Sequence, residues 1–193
     1  MSETPEVRPG GRGLPPPETY RALRLVVFDV DGVLTDGTIS IDGHGVESKR
    51  FDVRDGSGMA YLRHAGLDLA LLTGRSSPAV DVRARDLSIP PQRVVQGAKH
   101  KLPAFEQLLS ACGVTSAQTA FIGDDIVDLP LLRRVALAGC PGDARPEAVA
   151  ACHLVAAAPG GHGAVRQLCE HILKQRGAEE WERAIRKFLG EAG

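Results

Sequence analysis

The 193-residue sequence lacks any excess of charge: 23 Lys and Arg stand against 24 Asp and Glu, for a formal net charge of -1. Proteins that bind a phosphate backbone concentrate basic residues, so nucleic acid is not expected as a partner. Aromatic residues make up only 4% of the chain, which leaves few platforms for base stacking. Four cysteines, Cys112, Cys140, Cys152 and Cys169, are widely spread with no Cys-x-x-Cys pair, which argues against a zinc site or a disulfide framework. They are expected to be reduced and mostly buried in a cytoplasmic protein. The longest apolar runs, such as Leu67 to Thr73, are too short to cross a bilayer. The N-terminal residues show no charged segment followed by an apolar one, so neither secretion nor membrane insertion is expected. No internal repeat is visible.

What is present is 43% hydrophobic residues, enough for one full core. Residues 1–20 are rich in Pro, Gly and charge, including Pro15-Pro16-Pro17, and are expected to form a disordered tail. Residues 21–176 then read as the main folded domain and 177–193 as a C-terminal helix and tail. Leu25-Val26-Val27-Phe28 is a short, β-branched apolar run suited to a buried parallel strand. Similar runs recur at 67–72, 94–95, 119–122, 135–138 and 153–155. Helical patterns lie between them at about 56–64, 78–87, 101–111, 127–134, 146–150 and 164–174. This alternation predicts an α/β fold: a Rossmann-like parallel sheet with helices on both faces. One segment departs from it. Residues 38–41 and 47–51 are extended, alternating stretches around Asp42-Gly43-His44-Gly45, and predict a hairpin projecting from the sheet. In Glu179 to Leu189, Trp181, Ile185, Phe188 and Leu189 fall at helical spacing and predict an amphipathic helix that packs on its own domain or on a neighbouring subunit.

Four motifs carry chemistry. Phe28-Asp29-Val30-Asp31-Gly32-Val33 directly follows the first apolar strand. Residues two apart in extended chain point the same way, so Asp29 and Asp31 can share a site at the strand's carboxyl end, where open α/β sheets bind ligands. Crowded carboxylates favour one ionised and one protonated group, the pair that two-step phosphoryl transfer needs. Taken alone, the same residues could begin a turn or cap a helix. Leu71-Leu72-Thr73-Gly74-Arg75 ends another strand; Thr73 could hold a phosphoryl oxygen or simply cap a helix. Lys101 opens a helix, where the dipole disfavours a cation, and Lys99 close by could be the participant instead. Gly123-Asp124-Asp125-Ile126-Val127-Asp128 follows a strand with hard oxygen donors that would suit magnesium, or would serve as caps. Acid, hydroxyl, lysine and acid, each at a strand end or helix start and in this order, are hard to attribute to four separate structural causes.

The order Asp-x-Asp, Thr, Lys, Gly-Asp-Asp-x-x-Asp resembles phosphatases of the haloacid dehalogenase superfamily, over nearly everything from Leu25 to Leu173. DVDGVLTDG (29–37), FDVRDGSGM (51–59), LLTGRSS (71–77), IGDDIVDLPLL (122–132) and GGHGAVRQLC (160–169) are most similar to its 3-deoxy-D-manno-octulosonate 8-phosphate phosphatase subgroup, which serves lipopolysaccharide biosynthesis, and to relatives acting on other nonulosonate phosphates. The resemblance implies that Asp29 attacks phosphorus, Asp31 protonates the leaving sugar oxygen and then activates water, and Thr73 and Lys101 bind the phosphoryl group. It implies Mg2+ held by the Asp29 carboxylate, the Asp31 main-chain oxygen and Asp124, supported by Asp125 and Asp128. It implies substrate contacts from Asp31, Arg54, Asp55, Gly56, Gly74, Arg75, Arg83 and Lys101 to a phosphorylated sugar acid. The 38–51 hairpin would stand in place of a cap domain and assemble a homotetramer. Ala60, His162 and Gln167 depart from the subgroup's pattern, which leaves open another nonulosonate or sugar phosphate as substrate. A non-catalytic oligomerisation domain of this fold would be expected to lack Asp29, Asp31 or Lys101, and all three are present.

Overall fold

The computed structural model describes residues 6–191. The chain opens with a short strand, β1 (Val7–Pro9), and a helix, α1 (Pro17–Ala22), before β2 (Leu25–Phe28) enters the core. The two-stranded hairpin β3 (Ser40–Ile41) and β4 (Glu47–Ser48) precedes α2 (Val53–His64). Then follow β5 (Asp68–Leu72), α3 (Pro78–Asp86), β6 (Val94–Val95) and α4 (Lys101–Cys112). After β7 (Thr119–Ile122), a 3-10 turn at Ile126–Asp128 leads into α5 (Leu129–Leu132). The remaining elements are β8 (Leu137–Cys140), α6 (Pro146–Ala151), β9 (Leu154–Ala156), α7 (Ala164–Arg176) and α8 (Ala178–Phe188).

The main sheet has the order β1-β9-β8-β7-β2-β5-β6, parallel throughout except for β1, which pairs antiparallel with β9. Period-two alternation in the buried strands divides the core between the two faces. Val26, Phe28, Leu69, Leu71, Ala120 and Ile122 pack with α2, α3, α7 and α8 in one cluster. Leu25, Val27, Ala70, Leu72 and Phe121 pack with α4, α5 and α6 in the other. Both sides are covered, as the continuous apolar runs predicted. All four cysteines are free, and three of them are buried. Among the described residues no helix is long and apolar enough to cross a membrane.

Two expectations change. The tail expected over residues 1–20 does not hold where the chain is described. Val7–Pro9 pairs with Leu154–Ala156 as an edge strand, Gly10 N donates to His153 O (2.8 Å), and Tyr20 is buried against α7. Pro9 is tolerated because it lies on the sheet's outermost strand. Residues 1–5, the rest of that expectation, lie outside the described residues, as do 192–193. The helix expected over 127–134 is broken into a 3-10 turn and a single α-turn. Asp125 and Asp128 form a reciprocal capping box there, and Pro130 follows at the start of α5.

The hairpin forms as predicted, with register Ser40↔Ser48 and Ile41↔Glu47. Asp42 Oδ1 accepts from the His44 N–H (2.8 Å) and the Val46 N–H (2.9 Å), which sets the turn. The C-terminal helix α8 packs on its own domain: Trp181 and Phe188 meet Tyr61 of α2 edge-on, with ring centroids 6.0 and 4.8 Å apart.

Candidate active site

Strand β2 lies between β5 and β7, so the residues just past the carboxyl ends of these three strands converge. Asp29 continues β2, its N–H donating to Ile122 O of β7 (2.9 Å). Thr73 follows β5, and Gly123-Asp124 follows β7. Asp29, Thr73 and Asp124, together with Asp31, Arg75 and Lys101, line a cavity of about 190 Å3. The four motifs separated along the sequence therefore meet at one rim.

The charges in this cavity are tightly arranged. Lys101 Nζ lies 2.8 Å from Asp29 Oδ2 and 2.6 Å from Asp128 Oδ1, with all three side chains at most 7% exposed. Burial alone would lower the lysine's proton affinity, and its two carboxylate neighbours raise it instead. Burial raises the Asp29 carboxyl to about 7, helped by Asp128 and opposed by Lys101. Asp124 is likewise raised to about 7, first by burial and then by Asp29, Asp128 and Asp125.

The carboxylates of Asp29, Asp124 and Asp128 each place an oxygen within 4.8 Å of the others, a set that could hold a cation. Hydrogen bonding separates their roles. Asp128 uses Oδ1 on Lys101 and Oδ2 on the N–H groups of Asp124 (3.0 Å) and Asp125 (3.3 Å). By contrast, Asp29 Oδ1 and Asp124 Oδ1 are buried without any partner. Unpartnered buried carboxylate oxygens are costly, and a hard divalent cation is what they lack. The residues present thus fit a magnesium-sized ion held by Asp29 and Asp124, with Asp128 as the strut that orients Asp124. Gly32 adds to this. It has φ +85°, and a Cβ there would run into the Asp124 carboxylate.

The other predicted residues divide into two groups. Asp31 lies at the cavity wall, where the Thr73 hydroxyl is 3.5 Å from its Oδ2. Thr73 is 1% exposed and accepts from the Arg75 N–H; it does not cap α3, whose N-cap is Ser77. Gly74 and Arg75 line the cavity, as does Lys99, but Lys101 is the lysine paired with Asp29. Asp125 caps the 3-10 turn through the Ile126 N–H (2.6 Å). Arg54, Asp55, Gly56 and Arg83 are not among the residues lining the cavity. Arg54 pairs with Asp52 and donates to His162 O (2.9 Å). Arg83 lies over the Phe51 ring and donates to Asp52 O, close against Gly56.

Asp55, expected among the substrate contacts, has a structural partner in this fold. It is 1% exposed and turned inward to cap α7, accepting from the Arg166 N–H at 2.9 Å. Gln167 has a structural task as well, accepting from the Ala158 N–H at 2.9 Å.

Sequence reasoning passed over two residues. Lys49, directly after β4, reaches into the site to pair with Asp31 Oδ1 and lies 2.9 Å from Glu47 Oε1. Glu47 also holds Arg75 Nη2 at 2.6 Å. The available signal was spacing, since residues 47 and 49 share one face of an extended strand.

No protein-family model matches the chain. It is 40% identical, over 151 residues, to the 3-deoxy-D-manno-octulosonate 8-phosphate phosphatase of Yersinia pestis, covering 78% of this chain and 80% of that one. The chain belongs to this phosphatase family. The Escherichia coli K12 protein of the same name is 37% identical over 155 residues, 80% of this chain and 81% of its own. Among solved structures, the Moraxella catarrhalis phosphatase, in complex with a magnesium ion, a phosphate ion and a KDO molecule, superposes with TM-score 0.83. It is 35% identical, with 89% of this chain and 97% of that one covered. The Yersinia pestis structure superposes with TM-score 0.81 at 37% identity, covering 86% and 88%. Family membership thus agrees with the α/β fold and with the convergence of the four motifs.

Proposed function

We propose that this protein is a magnesium-dependent phosphatase that hydrolyses 3-deoxy-D-manno-octulosonate 8-phosphate to the free sugar acid and inorganic phosphate through a phospho-Asp29 intermediate. The observation that carries this reading is Asp29 itself. It is buried, salt-bridged to Lys101 through Oδ2, and left with a bare Oδ1 in the cavity that also contains Asp31, Thr73 and Asp124. Asp29 supplies the attacking oxygen, and Lys101 favours its ionised form against the effect of burial and offsets charge on the phosphoryl group. The Thr73 hydroxyl and the amides of the 73–75 turn receive the phosphoryl oxygens. Asp31 protonates the leaving alkoxide and then takes a proton from the water that cleaves phospho-Asp29. Bound between Asp29 and Asp124, Mg2+ would neutralise phosphoryl charge and orient the group for in-line attack.

A cavity of about 190 Å3 is below the range of roughly 300–1,000 Å3 that encloses whole small ligands. It accommodates the phosphoryl group, and the sugar acid lies across the rim, where Arg75, Lys99 and the exposed Arg54 offer cations to its carboxylate. We assign a homotetrameric assembly to the hairpin, whose Ile39, Ile41 and Val46 are 51%, 59% and 61% exposed on a projecting element. The free thiols are in keeping with a cytoplasmic enzyme.

The test is a panel of phosphate esters assayed with Mg2+, covering 3-deoxy sugar acid, nonulosonate, neutral hexose and nucleotide phosphates. Highest kcat/KM is expected on the eight-carbon sugar acid, with activity lost in excess chelator and restored by Mg2+. Preference for neutral hexose phosphates would sink the sugar-acid assignment, and full activity in chelator would sink the metal site. Light scattering of Ile41→Lys, expected to show a smaller species than wild type, tests the assembly.

A further inference from the structure

Lys49 has no part in the proposed reaction so far, and its environment is unusual. It belongs to a projecting hairpin built from two residue pairs, Ser40↔Ser48 and Ile41↔Glu47, with no ladder to the main sheet. Its side chain is nevertheless only 3% exposed. Lysine is among the residues least often buried, and a buried ammonium must be paired to be tolerated. Here the ammonium lies between Asp31 Oδ1 and Glu47 Oε1. Glu47 in turn anchors Arg75, on the loop that follows Thr73, through Oε2 at 2.6 Å. Two ion-pair links therefore tie the hairpin to the site, one through Asp31 and one through Arg75.

The two oxygens of Asp31 consequently differ. Oδ1 is occupied by Lys49, whereas Oδ2 faces the Thr73 hydroxyl at 3.5 Å, the side on which the phosphoryl group is received. We propose that Lys49 is a positioning residue for proton transfer: by holding Oδ1 it fixes the Asp31 carboxyl so that Oδ2 exchanges the proton with the leaving oxygen. This rests on the phosphatase reading above. In the first step an Asp29 oxygen bonds to phosphorus as the ester P–O bond breaks, and the leaving oxygen keeps the electron pair and takes the proton from Asp31 Oδ2. In the second, Asp31 Oδ2 takes a proton from water as the water oxygen bonds to phosphorus and the Asp29–phosphorus bond breaks. Lys49 touches neither substrate nor phosphorus; it acts through Asp31.

Leaving-group dependence separates this role from a general structural one. An alkyl sugar phosphate expels a poor leaving group that needs the proton, whereas p-nitrophenyl phosphate expels a stable phenolate that needs it little. General-acid assistance is commonly worth about 10^2–10^4-fold, so misplacing the acid should cost roughly tenfold or more in kcat/KM on the alkyl ester, a quantity set by the first step and not by the hydrolysis of phospho-Asp29 that both esters share. Lys49→Met is expected to show that loss on the alkyl ester with a loss of under about threefold on the aryl ester. Lys49→Arg is expected to restore most of the alkyl activity, and Glu47→Gln, which loosens the ammonium without removing it, to show a smaller version of the same split. Circular dichroism and thermal melts check that each variant is folded; if Lys49→Met does not fold, the Glu47→Gln and Lys49→Arg comparison decides. Equal losses in kcat/KM on both esters, or no loss on either, would overturn the proposal while leaving the phosphatase reading intact. A wild-type protein inactive on both esters would overturn the two together.

Discussion

Removing the Lys101 ammonium should expose how the acidic rim is held together. In Lys101→Met, the aliphatic stem is roughly preserved while Asp29 and Asp128 lose a cation 2.8 and 2.6 Å away. Breaking a buried ion pair by deleting one partner typically costs about 3–5 kcal/mol, because the remaining charge is stranded. Here two carboxylates are stranded beside a third, Asp124, so the upper half of that range is expected, unless a carboxylate takes up a proton. Asp29 already has its carboxyl raised to about 7, chiefly by burial, and losing Lys101 raises it further. A raised native value favours the protonated form, so the stability it contributes is present at low pH and is lost as pH rises through the native value. In metal-free protein the destabilisation of Lys101→Met should therefore be small near pH 5.5 and large near pH 8.5. Urea unfolding with excess chelator, read by circular dichroism at both pH values, provides the measurement. Adding Asp128→Asn should recover part of the loss, with a coupling of about 1–3 kcal/mol. A Lys101→Met protein with an unchanged urea midpoint at pH 8.5 would refute the reasoning, since it would mean that the three carboxylates are solvated in solution.

Asp29→Asn keeps the shape of the side chain but removes the nucleophile; turnover should fall by more than about 10^4-fold with the melting temperature unchanged or raised, as measured by phosphate release and calorimetry. Gly32→Ala places a methyl group against the Asp124 carboxylate at φ +85°; Mg2+ titration by calorimetry should show weaker binding, and undiminished affinity would contradict the role given to Asp124. Burial raises the Asp55 carboxyl from 3.8 to about 6, so at about 1.4 kcal/mol per unit this group should account for roughly 3 kcal/mol of the stability lost as pH rises from about 4 to 7. Asp55→Asn, still able to accept from the Arg166 N–H, should flatten that part of the stability profile in chemical unfolding; an unchanged slope would remove Asp55 as its source.

The central strands were legible because burial on both faces demands continuous apolar runs, and Leu25 to Phe28 could satisfy that demand only as a core strand. The site was legible because three of its motifs follow strands that pair directly, β5, β2 and β7, so that strand-end residues had to meet. Local composition says less about elements that gain order from partners. Val7–Pro9 has almost no apolar content of its own, and it becomes a strand because β9 offers an open edge. Lys49 resembles any solvated lysine on a hairpin until Asp31 and Glu47 are placed around it. Asp55 shows the reverse error. The family resemblance placed it among the substrate contacts, but its carboxylate accepts from the Arg166 N–H in the first turn of α7. Whether a polar side chain turns toward the cavity or the core depends on tertiary packing.

The Gly160-Gly161 pair lies directly on the turn that follows Asp31. A Cβ at either glycine would strike the backbone of Gly32 or Thr35, Gly161 adopts φ +66°, and its N–H donates to Val33 O at 3.0 Å. The first catalytic motif is thus braced by residues made long after it, and β1 waits in the same way for β9. During translation, Asp29 and Asp31 leave the ribosome long before the segment that locks their loop. A chain without residues 160–161 lacks the backbone that packs on this turn, so the loop carrying both carboxylates depends on a segment far from it in sequence.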